Sequence, residues 1–289
     1  AMAMQLAPDQ PQAHNALGLA QFLAGEDDAA LASFHQAHEL DQAYADPLFN
    51  AAEIHRRRLE FPRAASLFHA VVERAPDHVI AKGHLGFLYL RMGDIDRARS
   101  WLGTVIDDMP MEAYANAQMA TLELVAGNTA AAIGICERVY RVFPAHRRCL
   151  HILGGANLKL GNHDAAMQWF RVLGSTFAGN QYALLGEAQV LIANGELRQG
   201  EALVEEVLLQ ATAAAQSPEA SWSDYWTMAA CLALKGEADQ AFEWLEKAAA
   251  AGRRFHLWDA RDDMFAPLRS DERFAKYVAL TESLSNRGT

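Results

Sequence analysis

Apolar residues along this chain recur in a helical frame that repeats every 34 positions. Ala30, Ala64, Ala98, Ala132, Ala166, Gly200 and Ala241 mark the frame, at steps of 34, 34, 34, 34, 34 and 41. Four residues after each marker lies a large or apolar side chain: Phe34, Phe68, Leu102, Cys136, Phe170, Val204 or Leu245. Three further on comes Ala37, Val71, Val105, Val139, Leu173, Val207 or Ala248. A 0, +4, +7 spacing puts all three on one face of a helix. Five residues before the marker stands Gly25, Gly93, Gly127, Gly161, Gly195 or Gly236, replaced only at Leu59, and there a preceding helix should end. In that preceding helix a small residue follows a hydrophobic one, as in Leu17-Gly18, Leu85-Gly86 and Leu153-Gly154, with weaker copies at Ala51-Ala52, Met119-Ala120 and Met228-Ala229. Small side chains allow close helix approach, so each unit is predicted to be a hairpin of two short antiparallel helices. Pro76, Pro110 and Pro144 then start the next turn.

A period in the range of about 20 to 50 residues means stacked units, each unable to bury its apolar face alone. The combined Leu-Gly, Gly, Ala, Phe, Ala, Pro signature resembles the tetratricopeptide repeat family, bacterial type. The resemblance implies an all-α fold, a right-handed α-solenoid of about seven helix-turn-helix repeats with a C-terminal capping helix. The repeats would occupy 11–44, 45–78, 79–112, 113–146, 147–180, 181–221 and 222–252, forming one solenoid domain, followed by a cap over 253–289. The family's early aromatic is mostly missing: His14, Leu48, Lys82, Asn116, Leu150 and Leu184 stand there, and only Tyr225 conforms. The sixth copy is degenerate, with Glu187 in place of leucine and Gly200 in place of alanine, and is expected to be locally the least stable. The seven extra residues before Ala241 suit a helix lengthened by two turns over Val207 to Gln216 and ended by Ser217-Pro218. Beyond Gly252 the expectation is a short aromatic helix near Phe255, His256 and Trp258, a turn at Pro267, and a final helix capped by Ser270. Ala1-Met2-Ala3 and Gly288-Thr289 read as vector-derived, and Pro8, in phase with Pro76, suggests the tail of an upstream repeat within 1–10.

Composition narrows the function classes. The chain is 51% hydrophobic over 289 residues, with a formal net charge of −11. That acidity argues against nucleic acid or an anionic membrane as a global partner. No apolar run approaches a membrane span, and no signal peptide is visible. Cys136, Cys149 and Cys231 form no CxxC pair and read as buried free thiols, which fits a reducing compartment and favours the cytoplasm. His35 and His38 share a helix face, but no HExxH or Cys/His cluster accompanies them, so no metal or other cofactor is expected. Nucleophile motifs, phosphate loops and paired carboxylates are missing as well, and the chain reads as non-enzymatic.

The resemblance also implies that the first helix of each repeat lines an inner face where ligands lie. Projected onto this sequence, the inward positions that could hold a peptide are Asn15, Phe49, Glu53, Arg56, Arg57, Phe87, Leu90, Arg91, Tyr114, Arg148, His151, Lys159, Tyr182, Gln189 and Trp226. The basic members could grip an acidic segment or a C-terminal carboxylate, since guanidinium forks hold carboxylates bidentately. Equally, they could run along helix surfaces and pair with nearby acids. The aromatics could anchor side chains of a partner or pack between repeats. The carboxylate clamp of chaperone-binding relatives is not reproduced: only Asn50 fits, with Leu19, Ile80 and His84 elsewhere in its positions. Two function readings remain at this point. One is a protein-interaction scaffold that binds a peptide or protein segment, with self-association as a further possibility. The other is a regulatory or substrate-presenting arm of a larger multidomain enzyme or transport assembly whose catalytic part lies outside this chain.

Overall fold

The computed structural model describes residues 9–253 and 263–286, so the aromatic segment at Phe255, His256 and Trp258 and the terminal residues read as vector-derived lie outside the described residues. The described residues fall into two compact units, the first ending at Met109 and the second running Pro110–Leu284. The first holds α1 (Pro11–Leu23), α2 (Asp27–Leu40), α3 (Asp46–Arg57), α4 (Phe61–Arg74), α5 (Val79–Met92) and α6 (Ile95–Asp108). The second holds α7 (Ala113–Val125), α8 (Thr129–Val142), α9 (Arg147–Lys159), α10 (His163–Thr176), α11 (Gln181–Ala193), α12 (Leu197–Ala215), α13 (Trp222–Leu234) and α14 (Ala238–Ala250). A 3₁₀ turn (Asp263–Leu268) and α15 (Glu272–Asn286) follow. Within each unit successive helices up to α14 pack against one another, so these helices form successive antiparallel hairpins, and the 3₁₀ turn packs against α13.

The periodic small and large residues explain this packing. Ala30, Ala64, Ala98, Ala132, Ala166 and Ala241 are fully buried, as are Phe68, Leu102, Cys136 and Leu245 four residues on. A Cβ added at Gly18 would lie 2.6 Å from the Phe34 ring, and one at Gly86 would lie 2.6 Å from Leu102, so the first helix of each of these hairpins presents a notch that the large residue of the second fills. Gly200 obeys the same logic in the sixth hairpin. A Cβ there would meet Ile192 at 2.6 Å and the Ala188 carbonyl oxygen at 2.9 Å, so α12 approaches α11 too closely for alanine. The stretched step appears as α12 itself, which runs for 19 residues and stops at Gln216.

Helix starts are fixed locally. The His78 ring accepts a hydrogen bond from the Ala81 amide, Asp94 accepts from Arg97, and Ser221 with Asp224 forms a capping box at α13. Asp271, not Ser270, caps α15: its Oδ1 accepts from the Arg273 amide at 2.9 Å. The Arg273 guanidinium and amide together hold the Asp271 carboxyl down to about 2. Met264, Phe265 and Leu268 enter the same core cluster as Leu245 and Phe274, which closes the C-terminal end of the second unit.

The periodic glycine ends its helix in the left-handed region, as at Gly93 (φ 82°), and at the one position without it Leu59 takes φ 62° instead. An L side chain there strains the backbone by roughly 1–2 kcal/mol. Leu59→Gly should therefore stabilise the first unit by about 1 kcal/mol, less the packing of a half-buried leucine, read as a higher urea midpoint. A lowered midpoint would mean that the side chain contributes more than the backbone loses.

Candidate functional site

First helices of successive hairpins touch one another as well as their own second helices: α1 meets α3 in the first unit, and α9 meets both α7 and α11 in the second. In these pairs the facing stripes adjoin, and they carry many of the residues singled out from the sequence.

In the first unit most of those residues are committed to one another. Asn15 is buried, donating through Nδ2 to the Tyr44 hydroxyl at 3.0 Å and accepting from Asn50 at 2.9 Å, so it bolts α1 to α3. Glu53 accepts from Arg56 Nη2 at 2.7 Å and from its Nε at 3.0 and 3.1 Å, and it lies 3.3 Å from His84 Nε2. Burial lowers the His84 pKa, with Glu53 pulling the other way. Arg57 pairs with Asp27 and lies over the Phe22 ring at 4.2 Å. Asp27 also holds Arg58 at 3.3 Å. Phe49 packs edge-on against Phe68 and stacks on His78 at 4.9 Å. Arg91 lies over the Phe61 ring at 5.6 Å beside the half-buried Phe87. Leu90 is only 1% exposed, so it is a core residue; its position at the edge of the helix face turns it toward the hairpin interior. Arg56 and Arg57 thus follow the pairing alternative, each neutralised by a carboxylate of its own unit.

The second unit carries the remaining candidates. Arg147 and Arg148 form the first turn of α9, whose N-cap His146 accepts from the Cys149 amide at 3.3 Å. Positive charge at a helix N-terminus opposes the macrodipole, so this turn is electrostatically suited to an anion. Arg147 lies over the Phe177 ring at 4.4 Å. One turn on from Arg148, the His151 ring stacks on Tyr182 of α11 at 4.4 Å with an interplanar angle of 16°. His151 Nε2 is buried with no hydrogen-bond partner. Burial, reinforced by the Arg148 and Arg147 charges, lowers its pKa to about 3, so the imidazole is neutral. Lys159 is exposed at the far end of α9, and Gln189 is half-buried two turns beyond Tyr182 on α11. Tyr114 on α7 is 37% exposed. Trp226 on α13 packs edge-on against Phe265 at 5.4 Å, with the Arg253 guanidinium 5.6 Å above it. The structure therefore brings Arg148, His151 and Tyr182 together, whereas Trp226 is bound up with the C-terminal cap. Reasoning from sequence missed Asp27 and Tyr44. Their partners lie 30 and 29 residues away, across a hairpin boundary that the repeat frame does not resolve.

Among the described residues no group of three metal-ligating side chains comes together, and no helix is long and apolar enough to cross a membrane.

Helical hairpins stacked through small-residue notches define an α-solenoid protein. Two family profiles, both described as tetratricopeptide repeat, match residues 60–121 and 118–176. Residues 60–176 thus carry tetratricopeptide repeats. No curated protein matches the sequence. Among solved structures the chain is similar to a tetratricopeptide repeat protein from Parabacteroides merdae, at 16% identity, with 94% of this chain and 98% of the other covered and a TM-score of 0.69. It is also similar to PilW, described as a type IV pilus biogenesis factor, at 18% identity, covering 69% and 92% with a TM-score of 0.62. A third is YrrB, described as a tetratricopeptide repeat protein with an unusual peptide-binding site, at 16% identity, covering 63% and 94% with a TM-score of 0.53. At these identities the likeness is one of fold. In the general sense that the repeats define, the chain is a protein-interaction scaffold.

Proposed function

We propose that this scaffold holds an extended or helical segment of another protein along the first-helix face of its second unit, and that the segment bears a carboxylate. The observation that carries this reading is the pairing of the basic first turn of α9 with the His151–Tyr182 stack. The Arg147 and Arg148 charges and the α9 N-terminus would receive the carboxylate, and the stacked rings would seat a neighbouring apolar side chain. Gln189 and Lys159 would continue the contact along α11 and α9. The first unit contributes less to acid recognition, because Glu53 and Asp27 already occupy Arg56 and Arg57.

Charge reversal discriminates between the two units. Fluorescently labelled peptides of matched length, Glu-rich or Lys-rich, would be titrated against the purified chain at low and physiological salt. The Glu-rich peptides should bind at least about tenfold tighter, and their binding should weaken with salt. Arg148→Glu should remove that preference, whereas Arg56→Glu should leave it intact. Equal binding of both peptide classes, or an unchanged Arg148→Glu, overturns the reading.

A further inference from the structure

The cysteines suggest a chemistry that the scaffold reading does not use. Five consecutive hairpins place Phe34, Phe68, Leu102, Cys136 and Phe170 at one core position of the second helix, and Pro47, Ala81, Ala115, Cys149 and Ala183 thirteen residues later, near the start of the following helix. Four of these five pairs match a large residue with alanine or proline. In the fourth both members are sulfur. Cys136 on α8 and Cys149 on α9 are each fully buried and belong to the same core cluster, on two helices that pack against each other. Cys231, the third cysteine, lies in a different cluster.

We propose that Cys136 and Cys149 form a redox-active dithiol that a peroxide converts to an intramolecular disulfide, stapling α8 to α9. The two sulfurs have unequal roles, and geometry assigns them. Cys149 stands in the first turn of α9, where backbone N–H groups and the flanking Arg148 favour a thiolate. The neighbouring Cys136 thiol lowers the Cys149 pKa, with His146 adding to the effect against the cost of burial; the same pairing, together with burial, raises that of Cys136, which lies inside α8. Cys149 is therefore the attacking sulfur and Cys136 the resolving one.

In the first step the Cys149 thiolate attacks one oxygen of hydrogen peroxide. The S–O bond forms, the O–O bond breaks, and the departing hydroxide takes a proton to become water, leaving a sulfenic acid. In the second step Cys136 gives up its proton and attacks the Cys149 sulfur. The S–S bond forms, and the sulfenic oxygen leaves as a second water. The two sulfurs supply two electrons in all, and the peroxide is reduced to two waters. Both sulfurs are covered, so peroxide reaches them only when the packing of α8 on α9 opens locally.

The test exposes the reduced chain to hydrogen peroxide, then blocks remaining thiols and maps peptides by mass spectrometry without reduction. A 136–149 linkage should appear, about 2 Da lighter than the dithiol and restored by a thiol reductant. It should form faster in mild urea, and Cys231 should stay reduced, since burial pushes its thiol up to about 12. Cys136→Ala should accumulate a sulfenic acid at residue 149 that dimedone traps, and Cys149→Ala should give no adduct at Cys136. Should either variant fail to fold, the wild-type map still decides. Recovery of all three cysteines as thiols, or oxidation of Cys231 at the same rate, overturns the proposal.

Discussion

Phe170→Ala is expected to remove about 3–5 kcal/mol from the stability of the second unit, the range for deleting a fully buried aromatic ring. Phe170 is 1% exposed and sits between two glycines on neighbouring helices. A Cβ at Gly154 of α9 would lie 2.5 Å from the ring, and one at Gly186 of α11 would lie 2.3 Å from it. Two effects compete at those glycines. Inside a helix, Gly→Ala normally stabilises by about 1 kcal/mol. Here the added methyl overlaps the ring, and overpacking costs about 1–3 kcal/mol, so Gly154→Ala and Gly186→Ala should each destabilise. With Phe170→Ala present the obstacle is gone, and the same glycine substitutions should become neutral or stabilising. That reversal of sign in a double-mutant cycle, read from urea melts, distinguishes a packing notch from general sensitivity of the core. Additive effects would show that the ring and the glycines do not meet. The ring also lies 6.2 Å from Tyr182, so its loss should loosen the support of the proposed binding face and weaken peptide capture.

The hairpins were legible because the features that build them are local and repeated. Notch residues such as Gly86 and Gly154, and the fillers Leu102 and Phe170 sixteen positions on, meet within a single hairpin, and every copy samples the same geometry. The extension of α12 was legible for the same reason, since seven added residues preserve a helix face. Gly200 departs from the alanine pattern in sequence yet fits a close approach in the fold; whether a glycine is vacant or required depends on how near the next helix comes, and sequence spacing does not encode that distance. The cap of the final helix moved from Ser270 to Asp271 because both residues can cap, and the choice rests on which amide faces the side chain.

The site was only partly legible. Glu53 and Arg56 are three apart on one helix, and their pairing could have been read from the sequence alone. The Asp27–Arg57 pair depends on how the α1–α2 turn meets the end of α3, which no periodicity specifies. Leu90 lies on the border between the exposed stripe and the interior, where a small change in helix rotation decides burial. The proposed acid-binding face rests on the cluster at α9, where the cation at residue 148 and the ring at residue 151 share a stripe that α11 completes with Tyr182.

That cluster yields the second large effect, a dependence of stability on pH that His151 should dominate. Its ring is enclosed, stacked on Tyr182 and close to the Arg148 and Arg147 charges, and its pKa falls from 6.5 to about 3. Above pH 6.5 the ring is neutral in the folded and the unfolded chain, and the residue adds no pH dependence. As the pH falls from 6.5 towards 3, the unfolded chain takes up a proton that the folded chain refuses, so stability falls by about 1.4 kcal/mol per pH unit. At pH 4.5 the loss from this one residue reaches about 2–3 kcal/mol. Burial also lowers the pKa of His38, His69 and His84, so the wild-type chain loses additional stability over the acid range. The comparison that isolates His151 is His151→Phe, which keeps a ring to stack on Tyr182 and cannot be charged. Urea midpoints at pH 7.5 and 4.5 should converge in the variant by that amount relative to wild type, and the wild-type His151 ring proton should hold its NMR shift over the same interval. If His151→Phe loses stability in acid as steeply as the wild type, the ring is not held neutral. A neutral ring also constrains recognition: a bound carboxylate would take its charge complement from Arg148, so affinity for acidic peptides should stay level between pH 5.5 and 8, where neither group changes its charge.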